Sequence, residues 1–275
     1  MGRGRRQDTE AASIAPSRPS DDSSSNQELE VNQPPPNWPA EIEYLSSSCL
    51  PSSQLPHAIA LTLCTAPSTS SPFHPVQLRK RNLVAIVPIT PKTPFVPAYG
   101  SSLDHHPAQG QCGLFARCDL EPNTLIVPYL GRAHLSVPPD QDDESQYDAS
   151  ISVSAPASAQ EGENDGEVAR CGIDATHCGN EARFVNDYRG ILKRPNVFFK
   201  EVERPFPREK KAELSAHTSG EEGQQQPLPR KIRGLAIFTG AHPIKAGTEL
   251  CVSYGKGWWA ARSEEQGGSA EQDEE

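Results

Sequence analysis

No apolar run in this chain approaches the roughly 18 residues needed to span a bilayer, and the opening MGRGRRQDTE is charged with no apolar stretch behind it. The expectation is an unsecreted protein with no membrane association, in the nucleus or the cytoplasm. Aromatic residues make up 6% of the 275 positions and hydrophobic ones 35%, so the whole length cannot be packed core. A basic excess is lacking too: the net charge is −10, which argues against a direct nucleic-acid binder. The seven cysteines are odd in number, irregularly spaced and never arranged as C-x-x-C, which fits free thiols better than a disulfide framework. Cys171, His177 and Cys178 lie close in sequence and Cys112 and Cys118 are six apart, but neither group forms a paired ligand array, so no metal site is expected. A Walker-type loop and a G-x-S-x-G elbow are absent, leaving kinase-like and serine-hydrolase readings without support.

What the chain does contain is unevenly spread. Fifteen of its 27 prolines precede Gly100, in a region dense in Ser, Gln and Glu, and this composition predicts a tail without order over 1–94. Within it HAIALTLC at 57–64 is the one apolar patch, suited to weak packing or a partner. Asn82 to Ile89 has the Val, Ile and Leu content of a strand, which the prolines at 88, 91, 94 and 97 restrict to an edge. The ordered domain is expected over 95–260, as short strands punctuated by Gly, Pro and Asn, with loop insertions near 140–167 and 200–232. Asp140 to Glu167 holds nine carboxylates and no Lys or Arg, and 261–275 is a second acidic segment; both read as solvated. The basic clusters Arg3, Arg5, Arg6 and Arg79-Lys80-Arg81 read either as import signals or as solvated charge.

A weak internal repeat supports a β-rich domain. Phe115, Leu120, Pro122-Asn123-Thr124, Leu125, Tyr129 and Gly131 reappear as Phe238, Ile244, Ala246-Gly247-Thr248, Leu250, Tyr254 and Gly255. Each copy reads as strand, polar turn, strand, and the expectation is two hairpin-like units packed together. Tyr129 is assigned to the core.

The stretch IDATHCGNEARFVNDYRGILKRPNV, 173–197, is the candidate site. Asn180 is placed to cap a helical turn through Glu181, Ala182, Arg183 and Phe184, which presents Phe184 to a core and leaves Asn186 where the turn ends. The run GNEARFVND, followed by PNV, resembles the G-N-x-A-R-F-x-N-H signature of SET-domain proteins, mostly protein lysine methyltransferases, with Asp187 where the family has His. IKAGTELCVSYG resembles the second signature of that family, I-x-A-G-E-E-L-x-x-x-Y-G, and GQCGLFA at 110–116 its G-x-G-L-F-A loop. In that register Gln111 falls on the first glycine and Gly110 is one place early: either a small shift brings Gly110 in, or binding is weakened.

The resemblance implies a mainly β fold, a SET-type β-clip of short strands with a pseudoknotted C-terminal segment. It implies S-adenosyl-L-methionine as cofactor and, as substrate, a protein carrying the target lysine, a histone among the candidates. Asn186 would hold the methionine part of the cofactor, together with Gly113, Leu114 and Phe115 of the loop and Arg183, Phe184 and Asp187 of the first motif. Tyr254 would stand at the point of methyl transfer, with Tyr147 as a second active-site aromatic, and Trp258 would cover the cofactor's adenine or wall the lysine channel. The zinc-binding cysteines that follow this domain in many relatives are missing, since no Cys follows Cys251. A non-catalytic SET-like interaction module is the alternative reading.

Overall fold

Val84–Pro88 (β3), a β-branched run stopped by proline, pairs antiparallel with Cys112–Ala116 (β4) in the computed structural model of the chain. The structure describes residues 33–68, 70–74, 77–78, 81–93, 104–142, 144–154, 168–217 and 228–255. The expectations for 1–32, for the tip of the acidic insertion at 155–167, for 218–227 and for the acidic tail lie outside these residues.

Three sheets carry most of the described domain. Val197–Pro205 (β11), Lys231–Thr239 (β12) and Leu125–Tyr129 (β5) form an antiparallel sheet in the order β11-β12-β5. Leu50–Pro51 (β2), Arg132–Leu135 (β6), Val168–Asp174 (β8) and Asp148–Ser154 (β7) form a second in the order β2-β6-β8-β7. The hairpin β3-β4 is the third. The protein is thus mainly β, with two described α-helices, His57–Cys64 (α1) and Arg208–His217 (α2).

The two repeat copies do pack together, but not as hairpins. β4 pairs with β3 and β5 with β12, so the two strands of a copy never pair with each other. Each instead pairs with the opposite strand of the other copy: Phe115 bridges Glu249, and Phe238 lies against Leu125. Leu120 and Ile244 exchange both backbone bonds at the centre, at 2.8 and 2.9 Å, and both are buried. The Thr239 N–H donates to Thr124 C=O at 2.9 Å, and its counterpart Ala116 N–H donates to Thr248 C=O at 2.9 Å. Asn123 (φ 53°) and Gly247 (φ 80°), at matching places in the two turns, both adopt the left-handed conformation.

The expectation that 1–94 lacks order fails for much of 33–93. Glu43–Tyr44 (β1) pairs parallel with Cys178–Gly179 (β9), β2 pairs parallel with β6, and α1 buries Ile59, Thr62 and Leu63. Leu45, Cys49, Leu55 and Ile86 belong to the same core as Ile173, Ile237 and Leu250. Two-residue strands have no periodicity to read, and their burial depends on partners more than 80 positions away. The insertions also carry more structure than expected: 148–154 and 168–174 are the paired strands β7 and β8, and β11 continues to Pro205 before α2. Arg208-Glu-Lys-Lys-Ala-Glu-Leu is rich in helix formers and adds a Lys210–Glu213 pair at 2.7 Å.

Candidate active site

Asn186–Asp187 (β10) and Cys251–Val252 (β13) pair in parallel, Asn186 opposite Cys251 and Asp187 opposite Val252. Tyr188 N–H continues that ladder, donating to Val252 C=O at 2.9 Å, and the loop after β10 then closes on the other side of the same segment, where Asn196 N–H donates to Cys251 C=O at 3.1 Å. The Asn196 side chain donates to Glu249 C=O and accepts from Cys251 N–H, both at 2.8 Å. On its far side Leu250 N–H reaches Leu114 C=O at 2.7 Å. Residues 249–252 are therefore gripped between one loop and β4, which brings the two signature motifs together.

The local turn forms as the sequence indicates, though Asn180 does something else. Glu181–Phe184 is a single 3₁₀ turn with no side-chain cap. The Asn180 amide instead donates to Pro128 C=O at 2.8 Å and accepts from Leu130 N–H at 3.3 Å, tying the turn to the end of β5. Phe184 is buried, edge-on to Trp38 with centroids 5.6 Å apart.

Asn186 points to β4. Its Nδ2 donates to Glu249 Oε1 at 2.8 Å and, at 3.4 Å, to Cys112 C=O. Its Oδ1 accepts nothing from any described residue, an open acceptor. Glu249 is itself buried and is held on its other oxygen by His106 Nε2 at 2.8 Å. Because His106 Nδ1 accepts from Ala108 N–H at 3.1 Å, Nε2 carries the proton and donates it. Gly113 lies beside this chain of bonds: a Cβ there would stand 2.7 Å from Glu249 Oε1 and 2.9 Å from the Phe115 ring. The packing there is tight enough that only glycine is accommodated. Gly110 (φ 87°) makes the turn that enters β4, so the left-handed residue is one place earlier than the family loop has it, and the Gln111 side chain is exposed. Leu114 is wholly buried in the core.

The residues on either side of Asn186 hold Tyr254. Its phenol donates to Val185 C=O at 2.9 Å, and its backbone N–H donates to Asp187 Oδ2 at 2.7 Å. Asp187 Oδ1 accepts from Arg189 N–H at 2.9 Å, and the Arg189 guanidinium lies 3.3 Å from Oδ2. The carboxylate in the family's His position is thus committed to anchoring Tyr254 and the loop.

Tyr254 also lines a cavity of about 240 Å³, with Tyr129, Tyr147, Arg183, Phe199 and Leu235 among its walls. The Arg183 guanidinium carbon lies 4.2 Å over the centre of the Tyr147 ring, and Nε donates to Ala175 C=O at 2.9 Å. The Tyr129 phenol donates to Tyr147 C=O at 2.5 Å, and its ring is edge-on to Phe199 at 5.2 Å. Burial pushes the phenols of Tyr254 and Tyr129 well above their ordinary pKa, so both stay protonated at neutral pH. The buried thiols of Cys49 and Cys171, pushed up to about 11 by desolvation, are not nucleophiles there.

Of the residues singled out from sequence, the structure brings Gly113, Phe115 and Asn186 to one cradle and Tyr147, Arg183 and Tyr254 to the adjoining cavity. Leu114 and Phe184 are core, Asp187 is an anchor, and Trp258 lies outside the described residues. Sequence reasoning missed His106 and Glu249, which orient Asn186, and Tyr129 and Phe199 as cavity walls. Glu249 stands inside the second motif and was within reach. His106, 80 positions before Asn186, had no signal.

A model of the SET domain family matches residues 111–255, more than half of the chain. No curated protein sequence matches it. Among solved structures, it is similar to the crystal structure of KRYPTONITE in complex with mCHH DNA, H3(1-15) peptide and SAH. The identity there is 16% and the TM-score 0.33, over 68% of this chain and 26% of that one.

Proposed function

The chain belongs to the SET-domain family, and from that premise we propose that it transfers a methyl group from S-adenosyl-L-methionine to a lysine side chain of a protein. The observation that carries the reading is the placement of Tyr254 by Val185 and Asp187, with Asn186 between them turned to the cradle at Gly113. The open Oδ1 of Asn186 is an acceptor for the cofactor's ammonium, and the Glu249 carboxylate packed against Gly113 stands beside it. When bound there, the cofactor supplies an electrophilic methyl on a sulfonium.

The chain's own residues prepare the acceptor. A lysine amine attacks only when neutral, and burial among the rings of Tyr129, Tyr147, Phe199 and Tyr254 penalises its charged form. The buried guanidinium of Arg183 in the wall acts in the same direction, and the carboxylate of Asp148, which lines the same cavity and pairs with His134, in the opposite one. Tyr254, protonated at working pH, is not a base. Its ring and hydroxyl orient the amine, and alignment of this kind is worth several kcal/mol of the barrier. A histone substrate and a nuclear location are further parts of the proposal; the net charge of −10 favours basic partners over nucleic acid.

The test is calorimetry with S-adenosylhomocysteine. The wild-type chain binds it, and Asn186→Ala, which removes the open acceptor and the bond to Glu249, loses about 1–3 kcal/mol of binding while remaining folded. Absence of binding by the folded wild-type chain would favour the alternative, a non-catalytic interaction module.

A further inference from the structure

A groove of about 390 Å³ runs along β3, and Tyr254 is not among the residues that line it. Residues 82–87 all line it, facing Pro36, Leu45, Ile126 and Leu130. Consecutive strand residues can line one groove only if the strand turns its backbone edge toward it, because side chains alternate between faces. Hydrogen-bond parity agrees. Arg117 N–H donates to Leu83 C=O and Ile89 N–H to Gln111 C=O, both at 2.8 Å, so the odd-numbered residues carry the ladder to β4. The N–H and C=O groups of Val84 and Ile86 therefore point into the groove. Asn37 Nδ2 donates to Ile86 C=O at 2.8 Å; the two N–H groups and Val84 C=O have no partner among the described residues. Pro88, next in the same parity, has no N–H and closes that end. Edge strands are usually protected by charge, cover or a bulge, and VAIVP carries no charge at all. Among the described residues that line the groove two are charged, Arg117 and Glu181; Arg117 is exposed and has no acidic partner among the described residues.

We propose that β3 is a docking edge for an extended peptide segment of a partner protein, which adds as a strand beside Val84–Ile86 with an acidic side chain meeting Arg117. Main-chain bonds to the open edge supply the affinity, apolar side chains at alternate positions fill the groove, and Arg117 selects the acid. The surface works independently of methyl transfer.

The probes are fluorescein-labelled decapeptides of alternating valine and serine with one aspartate or with asparagine in its place, and copies N-methylated at every second amide in either parity. The full chain binds the parent peptides, and one methylated parity loses at least tenfold in affinity while the other does not. Val84→Pro, which removes an N–H outside the β4 ladder, loses binding with little change in Tm. Arg117→Gln weakens only the aspartate-containing peptides. By NMR, the Val84 and Ile86 amides exchange quickly in the free chain and slowly with peptide. Three results overturn the proposal: binding indifferent to both N-methylation and Val84→Pro; no binding by any probe; or amides slow in the free full chain that become fast on deletion of 1–32, which would make the chain's own N-terminus the occupant.

Discussion

At the scale of single residues, Asp187 shows how a departure from a family pattern is absorbed. A carboxylate accepts what an imidazole there could not: the N–H of Tyr254 on one oxygen and that of Arg189 on the other. Asp187→Ala leaves both donors short of a partner in a site that is 8% exposed, and is expected to cost about 1–3 kcal/mol in urea unfolding. His134 gives a pH dependence. Its Nε2 lies 3.1 Å from Asp148 Oδ1 and its Nδ1 2.9 Å from Leu135 C=O, and the bond to Asp148 is the main reason its pKa rises from 6.5 to about 9. The folded value exceeds the unfolded one, so the stabilisation is complete below pH 6.5 and is lost as the pH rises through about 9. The stability gap between wild type and His134→Gln should be widest at pH 6 and close above about 9 in unfolding series across pH; a gap that widens with pH would refute the pairing.

At the scale of elements, the crossing of the two repeat copies organises the site. Thr239 is fully buried where β12 leaves β5; its hydroxyl donates to Glu121 C=O and accepts from Thr124 N–H, both at 2.7 Å. Thr239→Val keeps the shape and strands both backbone groups, so a loss of about 2–4 kcal/mol is expected by thermal unfolding, far above the tenths typical of a surface change. The repeat itself was legible in the sequence, because Leu120, Ile244 and the Thr124 and Thr248 turns stand at matching intervals. Its pairing was not, since a hairpin and a strand exchange between copies bury the same side chains. Asn186 and Tyr254 could be read from their motifs. β1, β2 and the order in 33–93 could not: Glu43-Tyr44 and Leu50-Pro51 become strands only because Cys178-Gly179 and Arg132-Ala133 offer edges. Local composition, rich in Ser and Pro, pointed the other way.

For the whole molecule, residues 249–252 are clasped between β4 and the loop after β10, and Asn186 beside Gly113 and the cavity lined by Tyr254 meet at Val185–Asp187. The N-terminal elements share its core, so a fragment limited to 111–255 would lose Leu45, Ile59, Leu63 and Ile86 from that packing. The most direct test is transfer of labelled methyl from S-adenosyl-L-methionine to a mixed histone substrate by the full chain, with amino-acid analysis of the product, for wild type and Tyr254→Phe. The substitution keeps the ring and removes the hydroxyl that donates to Val185 C=O. The account predicts labelled methyl-lysine with wild type, and at least a tenfold lower rate with Tyr254→Phe at unchanged cofactor affinity, because the contact acts mainly in the transition state. Equal rates for the two proteins, or label on a residue other than lysine, would contradict it.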